Sequence, residues 1–139
     1  MMERTLSILH GFLAATAIGT ARTAYTAACR YAQERFQFGK LLIQHDEIRR
    51  MLSGMTTKMD MGTAGYVQAL AAERLDVPAG QVCAQAKVFC TDAALEIVFD
   101  AIQIHGGYGY MKETGLEKLM RDAKMLQLLG GSNRMLEIG

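Results

Sequence analysis

At 139 residues the chain has the length of one domain, and a chain of this size buries about two-thirds of its unfolded surface, enough for a core without staples. Fifteen Lys and Arg against 14 Asp and Glu leave a net charge of +1, which excludes a global field able to gather nucleic acid or an anionic membrane. Any anion must be held by a local arrangement.

No window reaches the ~18 uninterrupted apolar residues of a membrane span. The opening "MMERTLSILHG" lacks the apolar core and small-residue cleavage site of a secretory signal. Cys29, Cys83 and Cys90 fall inside apolar helical patterns, which predicts reduced, buried thiols with no disulfide and no metal. The compartment this implies is the bacterial cytoplasm or a mitochondrial matrix.

A single proline, Pro78, and an abundance of Ala, Leu, Met and Lys without β-branched runs predict an all-helical chain. From roughly Glu3 to Arg35, the positions Leu6, Leu9, Leu13, Ala17, Ala21, Ala24, Ala28 and Tyr31 recur every three or four residues, the stripe of one long helix. A second helix follows through Ile48, Leu52, Met55, Met59, Gly62, Tyr66 and Ala69, and is expected to turn at Pro78 and Gly80. The third carries Val82, Ala86, Phe89, Ala93, Ile97, Ala101 and Ile104 up to a glycine pair. A shorter fourth fits Leu116 to Leu128, and "SNRM" looks like the start of another. Long amphipathic helices joined by short loops predict an antiparallel, up-and-down four-helix bundle, residues 1–139 forming one domain.

Three segments break the rhythm. In "RFQFGKLLIQHDE", Arg35 offers a planar fork of donors suited to phosphate, Phe38 an aromatic face and Gly39 an unobstructed turn. The same residues could equally be a solvated arginine and a core phenylalanine. In "QIHGGYGYMKE", Gly106 and Gly107 suit a left-handed helix cap, or bare amides around an anion with tyrosines walling a ring. In "LLGGSNRM", Ser132 or Asn133 suits an N-cap, and a helix N-terminus is also an anion site. Position 135 lacks the acidic or amide residue that would complete a capping box. His10, His45 and His105 show no ligand spacing, so no metal is expected.

Taken in order, "YAQERFQFGKLL", "AIQIHGGYGY" followed by "LEKLMRDAKM", and "LLGGSN" resemble the C-terminal helical domain of the acyl-CoA dehydrogenase family over nearly the whole chain. The resemblance implies FAD as cofactor and an acyl-CoA thioester as substrate of the full-length enzyme. It also implies a homo-oligomer, dimer or tetramer, with an electron-transfer flavoprotein as possible partner. By resemblance, Arg35, Gln37, Phe38, Gln103, Gly106 and Gly107 reach across a subunit interface to the pyrophosphate and adenosine end of FAD. Ser132 matches a hydroxyl residue that contacts the flavin of its own subunit. Arg121 and Asp122 match a structural pair, with Glu117 supporting Arg121 one turn earlier. The charge run Lys118, Arg121 and Lys124 is expected to be a solvated face.

The family reaction needs a carboxylate base at the substrate α-carbon. The two positions where the resemblance would place it hold Gly130 and Leu9, with His10 where an arginine is usual. Asp46 stands where a glutamine is common. The catalytic base is therefore unassigned, and three readings stay open: a dehydrogenase domain, an enoyl-CoA reductase variant, and a non-catalytic helical assembly module.

Overall fold

With no proline to break it, the first apolar run folds as helix α1, Met2–Glu34, 33 residues and ~50 Å long. Its threonines Thr16, Thr20, Thr23 and Thr26 each donate a hydroxyl to the carbonyl four residues back, which satisfies them on the helix surface. The computed structural model describes residues 2–75 and 79–137. Helix α2 spans Asp46–Arg74, α3 Gly80–His105, α4 Leu116–Leu128, and the short α5 Asn133–Leu136. The first turn of α2 carries Asp46 and Glu47, carboxylates that suit the positive end of its dipole. The turn expected at Pro78 lies outside the described residues.

Side-chain contacts give the helix directions. Ser7 on α1 donates to Glu73 at the end of α2, and the Cys83 thiol at the start of α3 donates to the Ala69 carbonyl near the end of α2 (3.6 Å). Tyr31 stacks on His105, so α1 and α3 end together, while Lys87 early in α3 bonds the Gln127 carbonyl late in α4. The order is therefore up, down, up, down. Alanines at 14, 17, 21, 24, 28 and 32 of α1 are fully buried, and small side chains let α1 lie close along α3. Where α1, α2 and α3 meet, Gly62 leaves no room at all: a Cβ there would sit 2.5 Å from Ile18 Cδ1 and 3.3 Å from Cys90 Sγ.

Several expectations need correction. The helices are interrupted by a minimal hairpin, strand β1 (Phe36–Gln37) pairing antiparallel with β2 (Lys40–Leu41), Phe36 opposite Leu41 and Gln37 opposite Lys40. Phe38 (φ 53°) and Gly39 (φ 80°) form its two-residue turn, both with the positive φ that a tight hairpin of right-twisted strands requires. Leu6 and Leu9, read as core, are 44 % and 42 % exposed. The buried stripe of α1 begins instead on Ser7 and His10, because both find polar partners in other parts of the fold. In α3, Val82 and Phe89 are likewise exposed, and Cys83, Lys87, Cys90 and Thr91 are buried in their place. Cys29 is only half-buried, on the flank of the α1 stripe, whereas Cys83 and Cys90 are fully buried.

Candidate functional site

The hairpin and the turn after α3 stand side by side because α1 and α3 end together. Arg35 follows the last residue of α1, its N–H still bonded to the Tyr31 carbonyl, and its own carbonyl accepts from Leu42 N–H (2.9 Å), closing the hairpin. His45 Nε2 donates to the Gln37 carbonyl (3.1 Å), and the Phe38 ring, 90 % exposed, meets the His45 ring edge-on.

Opposite, α3 stops at Gly106, whose φ of 61° and ψ of −139° are open to glycine and strained for other residues. This is not the left-handed cap expected there, although the Gly106 N–H still satisfies the Gln103 carbonyl. A Cβ on either Gly106 or Gly107 would meet nothing within 4 Å, so the backbone here is bare and open. Gly109 has the opposite reason to be glycine: a Cβ would lie 2.6 Å from the Ile102 carbonyl oxygen.

Between the two lies an open cavity of about 520 Å³. Arg35, Gln37, Phe38, Gln103, Gly106 and Gly107 all line it, so six of the seven candidate cofactor residues converge. Two further lining residues, Tyr31 and His105, were missed by sequence reasoning, and of the two tyrosines expected to wall a ring Tyr108 lines the cavity. Tyr31 and His105 stack 4.3 Å apart at the cavity wall, and Tyr108 lies under the Arg35 guanidinium at 5.7 Å, a cation–π contact. The His105 Nδ1 proton is committed to the Ala101 carbonyl (2.8 Å), which holds the ring in place. Tyr31 and His105 recur with the helical stripes, and only their coincidence at the two helix ends marks them. Arg35 forms no ion pair among the described residues, so its charge faces the cavity without a protein counter-ion. Bare glycine backbone, an uncompensated guanidinium and exposed aromatic faces suit an anionic ligand that carries a ring system.

Ser132 is elsewhere. It is the N-cap of α5, without a side-chain capping bond among the described residues, in the turn between α4 and α5 at the opposite end of the bundle. That turn contains Gly130 (φ 68°) and Gly131 (φ 97°), and His10 Nε2 donates to the Gly130 carbonyl. A Cβ at Gly130 would lie 3.5 Å from Leu9 Cδ2, so the two positions lacking a carboxylate are neighbours in space. From His10 to Arg35 the distance along α1 is roughly 37 Å.

The profile of the acyl-CoA dehydrogenase C-terminal domain matches residues 1–138. The chain belongs to the acyl-CoA dehydrogenase family. Within it, the chain is 38 % identical over 137 residues to cyclohex-1-ene-1-carbonyl-CoA dehydrogenase of Geobacter metallireducens, covering 96 % of this chain and 36 % of that one. It is 35 % identical over 134 residues to a 3-(aryl)acrylate reductase of Clostridium sporogenes, covering 95 % and 35 %. The solved butyryl-CoA dehydrogenase of Megasphaera elsdenii superposes with a TM-score of 0.95 at 32 % identity, over 98 % of this chain and 36 % of that chain. The chain thus spans about a third of the length of these relatives.

Among the described residues no group of three or more His, Cys, Asp and Glu side chains is placed to hold a metal ion. No described helix is long and apolar enough to cross a membrane. The charge run on α4 is solvent-facing: Arg121 pairs with Glu117 (3.0 Å), Lys118 pairs with Asp122, and Lys124 donates to Gln127 (2.8 Å).

Proposed function

We propose that this bundle is the C-terminal part of an FAD-dependent oxidoreductase that carries out α,β-dehydrogenation of an acyl-CoA thioester. The observation that carries the proposal is the convergence of Arg35, Gln37, Phe38, Gln103, Gly106 and Gly107 on one cavity, with Arg35 free of a carboxylate partner among the described residues. The Arg35 fork would bind the pyrophosphate, the amides exposed at Gly106 and Gly107 would approach it unobstructed, and Phe38 and Tyr108 would present aromatic faces. The chemistry supplied by bound FAD is acceptance of the hydride lost from the substrate β-carbon.

The separation of Ser132 from this cavity, with His10 beside the Ser132 turn and roughly 37 Å along α1 from Arg35, supports an oligomer. The two groups cannot serve the same end of one flavin within one chain, so Ser132 would contact a flavin held largely by its own subunit while the Arg35 cavity serves that of a second copy. An electron-transfer flavoprotein would be a partner of the assembled enzyme, and the bacterial cytoplasm or a mitochondrial matrix its compartment.

Leu9 and Gly130 favour a second reading. With no carboxylate at either of these neighbouring positions, a group outside this chain would have to move the α-proton, removing it in dehydrogenation or delivering it if the assembled enzyme reduces an enoyl thioester. Titration of the chain with FAD, followed by flavin fluorescence, tests the site. Saturable binding that weakens about tenfold or more in Arg35→Ala supports it, since a charged hydrogen bond contributes on that scale; binding indifferent to Arg35 overturns the assignment of the cavity.

A further inference from the structure

Among the described residues one charged side chain is wholly buried: Lys87 on α3, at 0 % exposure. Its ammonium has three N–H donors and three acceptors, Asn133 Oδ1 at 2.7 Å, the Gly131 carbonyl at 2.8 Å and the Gln127 carbonyl at 3.1 Å. Gln127 lies in the last turn of α4, where helix carbonyls lack intrahelical partners and the dipole favours a cation. Gly131 and Asn133 are the two residues that flank Ser132.

The buried Asn133 amide completes the arrangement. Its Nδ2 donates to Asp92 Oδ1 (2.6 Å) and to Thr91 Oγ1 (2.9 Å), and Asp92 Oδ1 also accepts from Gln127 Nε2 (2.6 Å). Reversing the amide would set its NH2 against the ammonium and its oxygen against the carboxylate, so the charges dictate its orientation. Lys87 and Asp92 are thereby joined as an ion pair bridged by amides. Burial pulls the Lys87 ammonium below the usual lysine range and the Asp92 charge pulls it back up.

We propose that Lys87 is the positioning residue of the α4–α5 turn: its ammonium grips the chain on both sides of Ser132 and thereby sets where that hydroxyl is presented. The functional consequence rests on the reading of Ser132 as a flavin contact; the grip on the turn does not. Two glycines with positive φ precede Ser132, and no side-chain capping bond holds it among the described residues, so the turn has little rigidity of its own. The lysine supplies it from the core.

The test is residue-resolved amide hydrogen exchange on the whole chain, wild type against Lys87→Met, which keeps an unbranched stem and removes all three donors. The expected result is exchange about tenfold or more faster at residues 130–136, with unchanged protection where α1 meets α2. Unchanged exchange in the turn, or a uniform rise across all four helices, overturns the proposal. Should Lys87→Met fail to fold, Asn133→Ala, which keeps the ammonium and its two carbonyls, is expected to loosen the same residues to a smaller degree; the absence of any local change in that variant equally overturns the proposal. In FAD-saturated protein, Lys87→Met is expected to reproduce the flavin absorbance shift of Ser132→Ala. The exchange experiment needs no flavin, so a chain that binds no FAD counts against the function proposed above and leaves the Lys87 result standing.

Discussion

His10 Nε2 lies 2.6 Å from the carbonyl oxygen of Gly130, a contact spanning 120 residues that ties the start of α1 to the α4–α5 turn. His10 is nearly fully buried, and the carbonyl can only accept, so Nε2 carries the proton. His10→Phe keeps the ring and leaves that carbonyl without its donor. The expected loss is ~1–3 kcal/mol of stability, read as a lower denaturant midpoint with an unchanged slope.

Leu9 and Gly130 are neighbours, yet they differ in what they tolerate. A side chain at Gly130 would start 2.9 Å from Leu13 Cδ1 on a backbone with φ of 68°, while Leu9 stands half-exposed on a helix face. Gly130→Glu is expected to destabilise by ~2 kcal/mol or more from strain and overlap, and Leu9→Glu by ~1 kcal/mol or less. Thermal unfolding of the two variants checks this; equal melting points would contradict it. Leu9→Glu is therefore the substitution able to add a carboxylate at this locus.

Two glycines of α2 make a controlled pair. Gly62→Ala drives a methyl into Ile18 and Cys90 and is expected to cost ~1–3 kcal/mol. At Gly54 a Cβ meets nothing within 4 Å, so Gly54→Ala is expected to stabilise by ~0.5–1 kcal/mol through helix propensity alone. Opposite signs in denaturant unfolding are the result to look for.

The Cys90 thiol donates to the Gly62 carbonyl and is pushed up to about 12 by burial. The folded-state value is raised above the unfolded one, so this group's contribution is complete below about pH 8.5. It is lost as pH rises from there through about 12. A Cys90→Ala variant is expected to show a shallower fall in stability over that interval. Cys29, half-buried, is expected to react first with a thiol reagent, well before Cys83 and Cys90.

Much of this architecture is legible in the residues. A three-to-four rhythm without proline places α1 to α4 close to their observed limits, since period and breakers are local properties. Glycine marks all three irregular segments for the same reason. The hairpin at Phe38–Gly39 is not legible, because a phenylalanine with positive φ has no local signature.

Residue order alone thus specifies the helices, the breaks between them and, through motifs in a set succession, the residues to look for. What is buried depends on packing between elements. Ser7, His10 and Lys87 displace Leu6, Leu9 and Phe89 from the expected interior because their polar atoms find partners on other elements, and burial of a polar group is set by such partners, not by its own hydropathy. Packing also brings Arg35, Gln103 and Gly106 to one cavity while Ser132 stands at the far end. That follows from which helix ends coincide when four stripes pack, a relation between distant segments that no local pattern contains.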